Sequence, residues 1–156
     1  MGNHIEEIRE FVRISDNVFT SGQPNRDQLA GLSGHGIRYV INLALPGSDG
    51  AVADEAAILT GQGIAYFHLP VIWERPTAQD FAVFCGLMRT IGNLPVLVHC
   101  ALNMRVSAFI FLYRVIELDT PLPEARIALD SIWEPYEQWQ SFIAEILARH
   151  GQAPFD

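Results

Sequence analysis

The chain contains no lysine: all of its 10 basic residues are arginine, set against 18 Asp and Glu for a net charge of -8. Without lysine there is no Schiff-base amine and no lysine for an ATP-binding phosphate loop. The excess of negative charge repels nucleic acid and anionic lipid, and no local basic patch offsets it. Neither is expected as a partner. Cysteine is scarce too. Only Cys85 and Cys100 occur in 156 residues, too few for a disulfide-stapled secreted scaffold and without metal-ligand spacing for zinc. Long apolar runs are also missing. VSAFIFLYRVIEL meets Arg114 after eight residues, short of the roughly 20 that span a bilayer, so it reads as a buried helix. The N-terminal MGNHIEEIRE carries acids and no apolar core, which argues against a leader peptide and for a cytoplasmic protein.

The chain is 49% hydrophobic, suited to one compact domain over residues 1–156. Short β-branched or aromatic runs alternate with longer helical patterns, without internal repeats. IEEIREFV reads as a short helix or lead-in, and RISDNVFTSGQP as an edge strand or hairpin ending in a Gly-Gln-Pro turn. NRDQLAGLSGHG starts on an Asn cap and ends on glycine, as helices do. IRYVINLAL, IAYFHLPVI and PVLVHC have the length and apolar content of central strands buried on both faces. ADEAAILTGQG and TAQDFAVFCGLMRTIG have helical spacing, with Thr77 capping the second. The tail from Arg105 to His150 reads as three helices broken near Pro121 and Pro135. This order predicts an α/β fold: a central, mostly parallel sheet flanked by helices.

In such sheets ligands gather at the carboxyl ends of the strands. VHCALNMRVSA, residues 98–108, occupies that place, with PVLVHC as strand and RVSAFIFLYRV as the following helix. The first N–H groups of a helix have no partner within it and favour an anion. A thiol facing such a helix start or a cation falls from its ordinary pKa of about 8.5 to roughly 3.5–7.5. Cys100 has the helix ahead of it and Arg105 within reach, and the arginine fork can hold two oxygens of a tetrahedral anion. Asn103 is suited to a tight loop that needs a positive φ. The blander alternative makes Cys100 a small buried hydrophobe, but packing does not explain an arginine beside it. Cys85, on the apolar pattern of QDFAVFCGLM, reads as core.

These segments resemble a known superfamily. VLVHC, a short loop, Arg105 and a helix resemble the phosphate-binding signature of the cysteine-dependent protein tyrosine and dual-specificity phosphatases. VFTSGQPNRDQLAGLSGHGIRYVINL and FHLPV followed by PTAQDF are similar to a bacterial branch of phosphatase-like proteins, and residues 14–118 are covered. The resemblance implies Cys100 as nucleophile and Arg105 as clamp. It implies a cradle built from the amides of Ala101, Leu102, Asn103, Met104, Arg105 and Val106. His99 would help keep Cys100 a thiolate, and a phosphocysteine would form and be hydrolysed without metal or cofactor. The substrate would be a phosphorylated protein or a small phosphoester.

The chain departs from that pattern in three places. The signature has five residues between cysteine and arginine, whereas Ala101, Leu102, Asn103 and Met104 are four, the length found in rhodanese-type sulfurtransferases. The hydroxyl that follows the arginine is replaced by Val106, with Ser107 one position later as a possible substitute. The acid that protonates the leaving group lies, in the family, on the loop after the strand that FHLPVI resembles. Here that loop reads WERPTAQD, which makes Glu74 the candidate and leaves Trp73 to line the pocket or pack on the core. Asp49 and Asp54 read as turn and helix cap, His68 as a satisfied core histidine, and Trp133, Tyr136 and Trp139 as ties between the last helices and the body or as a dimer contact. Three functions stay open: a phosphatase, a sulfurtransferase carrying a persulfide on Cys100, and a phosphate- or sulfate-binding module without turnover.

Overall fold

A computed structural model describes residues 4–155; the part of the leader reading that falls on Met1, Gly2 and Asn3 lies outside them. Five strands form one sheet: β1 (Val12–Arg13), β2 (Val18–Ser21), β3 (Tyr39–Asn42), β4 (Ala65–His68) and β5 (Val96–His99), in the order β1-β2-β5-β3-β4. Only β1 runs antiparallel, as one arm of a hairpin with β2; the other neighbours are parallel. The expected mostly parallel sheet is therefore present. The register aligns the last residues of the four parallel strands, Ser21, His99, Asn42 and His68, in one row at the carboxyl edge.

Because side chains alternate along a strand, the parallel strands feed two cores. Ile41, Val96 and Val98 join one with α3 (Ala78–Ile91), α4 (Met104–Glu117), α5 (Leu122–Ile132) and α6 (Glu137–Arg149). Phe19, Val40 and Leu97 join the other with α1 (Arg26–Ala30) and α2 (Glu55–Thr60). The helix α4 is apolar nearly all round, with Arg105 through Leu112 buried, as a helix enclosed on every side must be. No helix among the described residues is long and apolar enough to cross a membrane.

The local signals held in part. Thr77 caps α3 through a reciprocal box with Asp80, and Asn25 caps α1 with Gln28. NRDQLAGLSGHG is nevertheless two pieces, α1 and a 3-10 turn at Leu32–His35, separated at Gly31. The first segment is only a 3-10 turn, Ile5–Glu7. The run IAYFHLPVI is not a central strand: β4 is the sheet edge with β3 as its one neighbour, and its residues are half-buried or exposed. Its apolar content serves Val71 beyond the strand, which is fully buried under α3 to α6. His68 is not a core residue either; it is exposed on that edge, its Nε2 2.6 Å from the Ala44 carbonyl. Asp54 stands at the N-cap of α2 without capping it. Its carboxylate pairs instead with Arg26 at 2.7 Å, and that hydrogen bond holds it below the usual carboxylate range. Asp49 lies exposed in the turn before α2.

Cys85 is core, as its pattern predicts, at 3% exposure. Burial, assisted by Glu117, pushes its thiol up to about 12. Unfolded, the same thiol titrates near its ordinary value, so above that value the unfolded chain releases a proton the folded chain keeps. Stability is thus whole below about pH 8.5 and declines as pH rises toward 12. The expected outcome in a short iodoacetamide pulse at pH 8 is no adduct on Cys85 in folded protein, read by peptide mass spectrometry.

Candidate active site

The strand β5 ends at His99 and α4 begins at Met104, so the connecting loop is only Cys100 to Asn103. Alternation continues past the strand end. Cys100, in phase with Val98, joins the core under α3 to α6, whereas His99, in phase with Leu97, faces α2. Asn103 makes so short a loop possible by taking the left-handed conformation, φ 65°. Its side chain is fully buried and donates through Nδ2 to the Glu10 carbonyl at 2.8 Å and to Thr20 Oγ1 at 3.1 Å. Asn103→Gly removes those bonds but also the β-carbon from the left-handed region, whereas Asn103→Ala removes the same bonds and keeps a β-carbon there, at about 1–2 kcal/mol relative to glycine. The alanine variant is therefore expected to unfold at lower denaturant concentration than the glycine variant.

The loop is held from behind by the Ser-Gly-Gln turn after β2. The Cys100 amide donates to the Ser21 carbonyl at 3.3 Å, and the Gln23 amide donates to the Ala101 carbonyl at 3.0 Å. The side chain of Ser21 is satisfied by the Gly22 carbonyl. Within a trans peptide the N–H points opposite to the C=O. With the Ala101 carbonyl tied to the turn, the Leu102 N–H is directed away from it. None of the amides from Ala101 to Val106 donates to another backbone carbonyl among the described residues. These six unclaimed donors belong to the loop and the first turn of a 14-residue helix, and such a helix start favours an anion.

Beside that helix start is a cavity of about 200 Å³ lined by Trp73, Cys100, Ala101, Leu102, Met104 and Arg105. A larger cleft of about 430 Å³, lined among others by His4, Gln28 and His35, lies near the N-terminal turn and holds neither cysteine. Arg105 is 7% exposed. One Nη1 donates to the Val71 carbonyl at 3.0 Å, and the guanidinium lies 5.9 Å from the Trp73 ring centre. Among the described residues it forms no ion pair, so its charge is left for an incoming anion. A buried arginine without a carboxylate is costly unless something negative visits it.

Trp73 does both things its position allows. It lines the cavity, and it packs on Trp133 and Trp139 at 5.5 Å and on Tyr136 at 5.9 Å. This aromatic trio, from the α5–α6 junction and the start of α6, therefore supports the pocket wall, with Trp139 donating from Nε1 to the Trp73 carbonyl at 3.0 Å. Glu74 follows Trp73 in the same loop, exposed to solvent and outside the residues that line the cavity. Ser107 does not face the thiol. Its hydroxyl donates to the Met104 carbonyl and accepts from Trp133 Nε1, both at 3.0 Å, because a residue one turn into the helix bonds back to the preceding turn. Sequence reading missed Glu55 and Gln23. Glu55 is 3% exposed, and its Oε2 lies 2.6 Å from His99 Nε2; the only signal was an acid at a helix start, which ordinarily means dipole stabilisation.

No protein-family model matches the chain. Among solved structures it is similar to a Shewanella putrefaciens CN-32 protein described as "Putative phosphatase (DUF442)", with 31% identity, 95% of each chain covered and a TM-score of 0.83. The catalytic domain of the PP-IP phosphatase SIW14 from S. cerevisiae shares the fold, with a TM-score of 0.71 over 92% of this chain and 94% of that one, at 14% identity. Among curated sequences the chain is 33% identical over 112 residues to the "Beta-lactamase hydrolase-like protein" of Xylella fastidiosa strain Temecula1. That match takes in 69% of this chain and spans only 26% of the length of that relative.

Proposed function

The chain belongs to the DUF442 family, within the protein tyrosine and dual-specificity phosphatase-like superfamily, and from that premise we propose that it is a cysteine-dependent phosphatase acting on phosphomonoesters. The observation that carries this reading is a small cavity lined by Cys100, by Ala101, Leu102 and Met104 of a loop whose amides have no backbone partner, and by a charge-unpaired Arg105. The Sγ thiolate attacks phosphorus in line with the ester oxygen, which leaves with the bonding electron pair and takes a proton. Arg105 and the amides hold the equatorial oxygens as charge builds on them. Water then attacks the phosphocysteine, releasing phosphate and restoring the thiolate. No metal enters this scheme. Glu74 supplies the proton for poor leaving groups, swinging in from solvent; an aryl oxygen leaves with less need of it. Accordingly Glu74→Gln should slow an alkyl phosphate by about 10²–10⁴-fold and an aryl phosphate by much less.

A second reading is favoured by two specific observations, the four-residue loop and a cavity walled by Trp73, Ala101, Leu102 and Met104. A tighter, less polar ring suits a terminal sulfur better than a phosphoryl group. In that chemistry the Cys100 thiolate takes the outer sulfur of thiosulfate, forming the persulfide and releasing sulfite. One preparation of wild-type protein separates the two. Turnover of p-nitrophenyl phosphate between pH 5 and 8 supports the phosphatase. A gain of one sulfur on Cys100 after thiosulfate, with no aryl phosphate turnover, replaces it with the transferase. With neither, binding of inorganic phosphate alone would leave an anion-binding module and overturn both.

A further inference from the structure

The nucleophile loop has a second layer beneath it, on the sheet face turned to α2, and no residue of that layer touches the cavity. His99 is fully buried and Glu55, the first residue of α2, nearly so. One carboxylate oxygen of Glu55 lies 2.6 Å from His99 Nε2; the other accepts from Gln23 Nε2 at 3.1 Å. Gln23 spends its second hydrogen on the Pro24 carbonyl at 3.0 Å, and its backbone N–H holds the Ala101 carbonyl. The remaining ring nitrogen, Nδ1, faces the Cys100 carbonyl at 3.3 Å. An ionised carboxylate and a carbonyl are both acceptors without a hydrogen. With Glu55 ionised, a ring that satisfies both carries a hydrogen on each nitrogen.

We infer that Glu55 is a positioning residue for the nucleophile: it holds His99 as a buried imidazolium under Cys100, so that a fixed cation and a fixed peptide plane lie behind the thiolate. The inference rests on reading Cys100 as the nucleophile. Two consequences make the arrangement chemically useful. A cation in a dry site stabilises a neighbouring anion more than one in water does. A hydrogen bond that pins the Cys100 carbonyl toward the ring turns the Ala101 N–H the opposite way across the planar peptide. Gln23 does the same for the next peptide, so one carboxylate orients two successive amides. The strands flanking His99 in register contribute Ser21 and Asn42, both neutral. Besides Cys100, the titratable group that faces the pair is Tyr66 of β4, whose hydroxyl accepts from Asn42 Nδ2 at 3.0 Å. Burial pushes the Tyr66 hydroxyl up, and the negative charge of Glu55 adds to it.

The test needs no substrate, so it reads this inference even in a protein that shows neither activity. In wild-type protein at pH 7, both ring nitrogens of His99 are expected to give the imidazolium ¹⁵N signature, with slowly exchanging protons. Glu55→Gln keeps the shape and the possibility of hydrogen bonds but removes the charge. It should abolish that signature and slow alkylation of Cys100 by iodoacetamide about tenfold, with the Cys85 peptide as internal control. A neutral His99 ring in the wild type, with the proton residing on Glu55, would overturn the inference. So would an unchanged Cys100 alkylation rate in a folded Glu55→Gln protein. Should that variant fail to fold, the wild-type ring signature alone decides the matter.

Discussion

Cys100→Ser is expected to lower aryl phosphate hydrolysis by roughly 10⁴–10⁶-fold, the scale on which loss of a covalent nucleophile is felt. The hydroxyl is not ionised at neutral pH, and no base lies at hydrogen-bonding distance from that position among the described residues. The fold should survive. Cys100 contributes a small side chain, 1% exposed, to the core of Val98 and Val106, and its amide bond to Ser21 belongs to the backbone. Binding should survive as well, because the amides and Arg105 are untouched. Calorimetry with inorganic phosphate is therefore expected to give a Kd within a few-fold of wild type while turnover disappears. Hydrolysis by the variant at more than a tenth of the wild-type rate would assign the chemistry to another group.

Gly22→Ala is expected to be the most damaging change that touches no catalytic group. A β-carbon at Gly22 would stand 2.5 Å from the Ala101 carbonyl oxygen and 3.0 Å from Cγ and Cδ of Arg9. The arginine chain can move aside; the carbonyl cannot do so freely, because it accepts from the Gln23 amide and belongs to the tight Cys100–Asn103 loop. Meanwhile the Gly22 amide donates to the Arg9 carbonyl at 2.7 Å, which fixes the other side. Overpacking of this kind costs about 1–3 kcal/mol, and each kcal/mol lowers Tm by about 2–4 °C in a chain of this size. Phosphate affinity should fall with it, since the displaced peptide carries the Leu102 amide of the cradle. Gly86→Ala is the contrast. It lies within α3, has nothing within 4 Å of a built β-carbon, and should gain up to about 1 kcal/mol from helix propensity. A Gly22→Ala protein with unchanged Tm and unchanged phosphate binding would show that the turn does not brace the loop.

Much of this site was legible in VHCALNMRVSA, because its parts are local. A strand, four residues and a helix fix where an anion can sit, whatever surrounds them. Cap signals at Asn25 and Thr77 were legible for the same reason: the bonds they make are three residues away. Misreadings arose where an apolar run was ambiguous. IAYFHLPVI is apolar enough for a central strand, yet strand order makes it an edge. Ser107 was placed on the helix with its role left open, and the structure gives its hydroxyl to Met104 and to Trp133, 26 residues on.

By itself, the sequence determined the α/β order and the four-residue span between Cys100 and Arg105 at a strand end, because both are local patterns. Only the tertiary structure decided what that strand end meets. Glu55 is 44 positions from His99, and Gln23 reaches it from 32 positions away; the SGQP turn earns its glycine from a carbonyl 79 residues later in the chain. Those contacts depend on β5 being inserted between β2 and β3, a choice made by the packing of two cores and not by any local pattern.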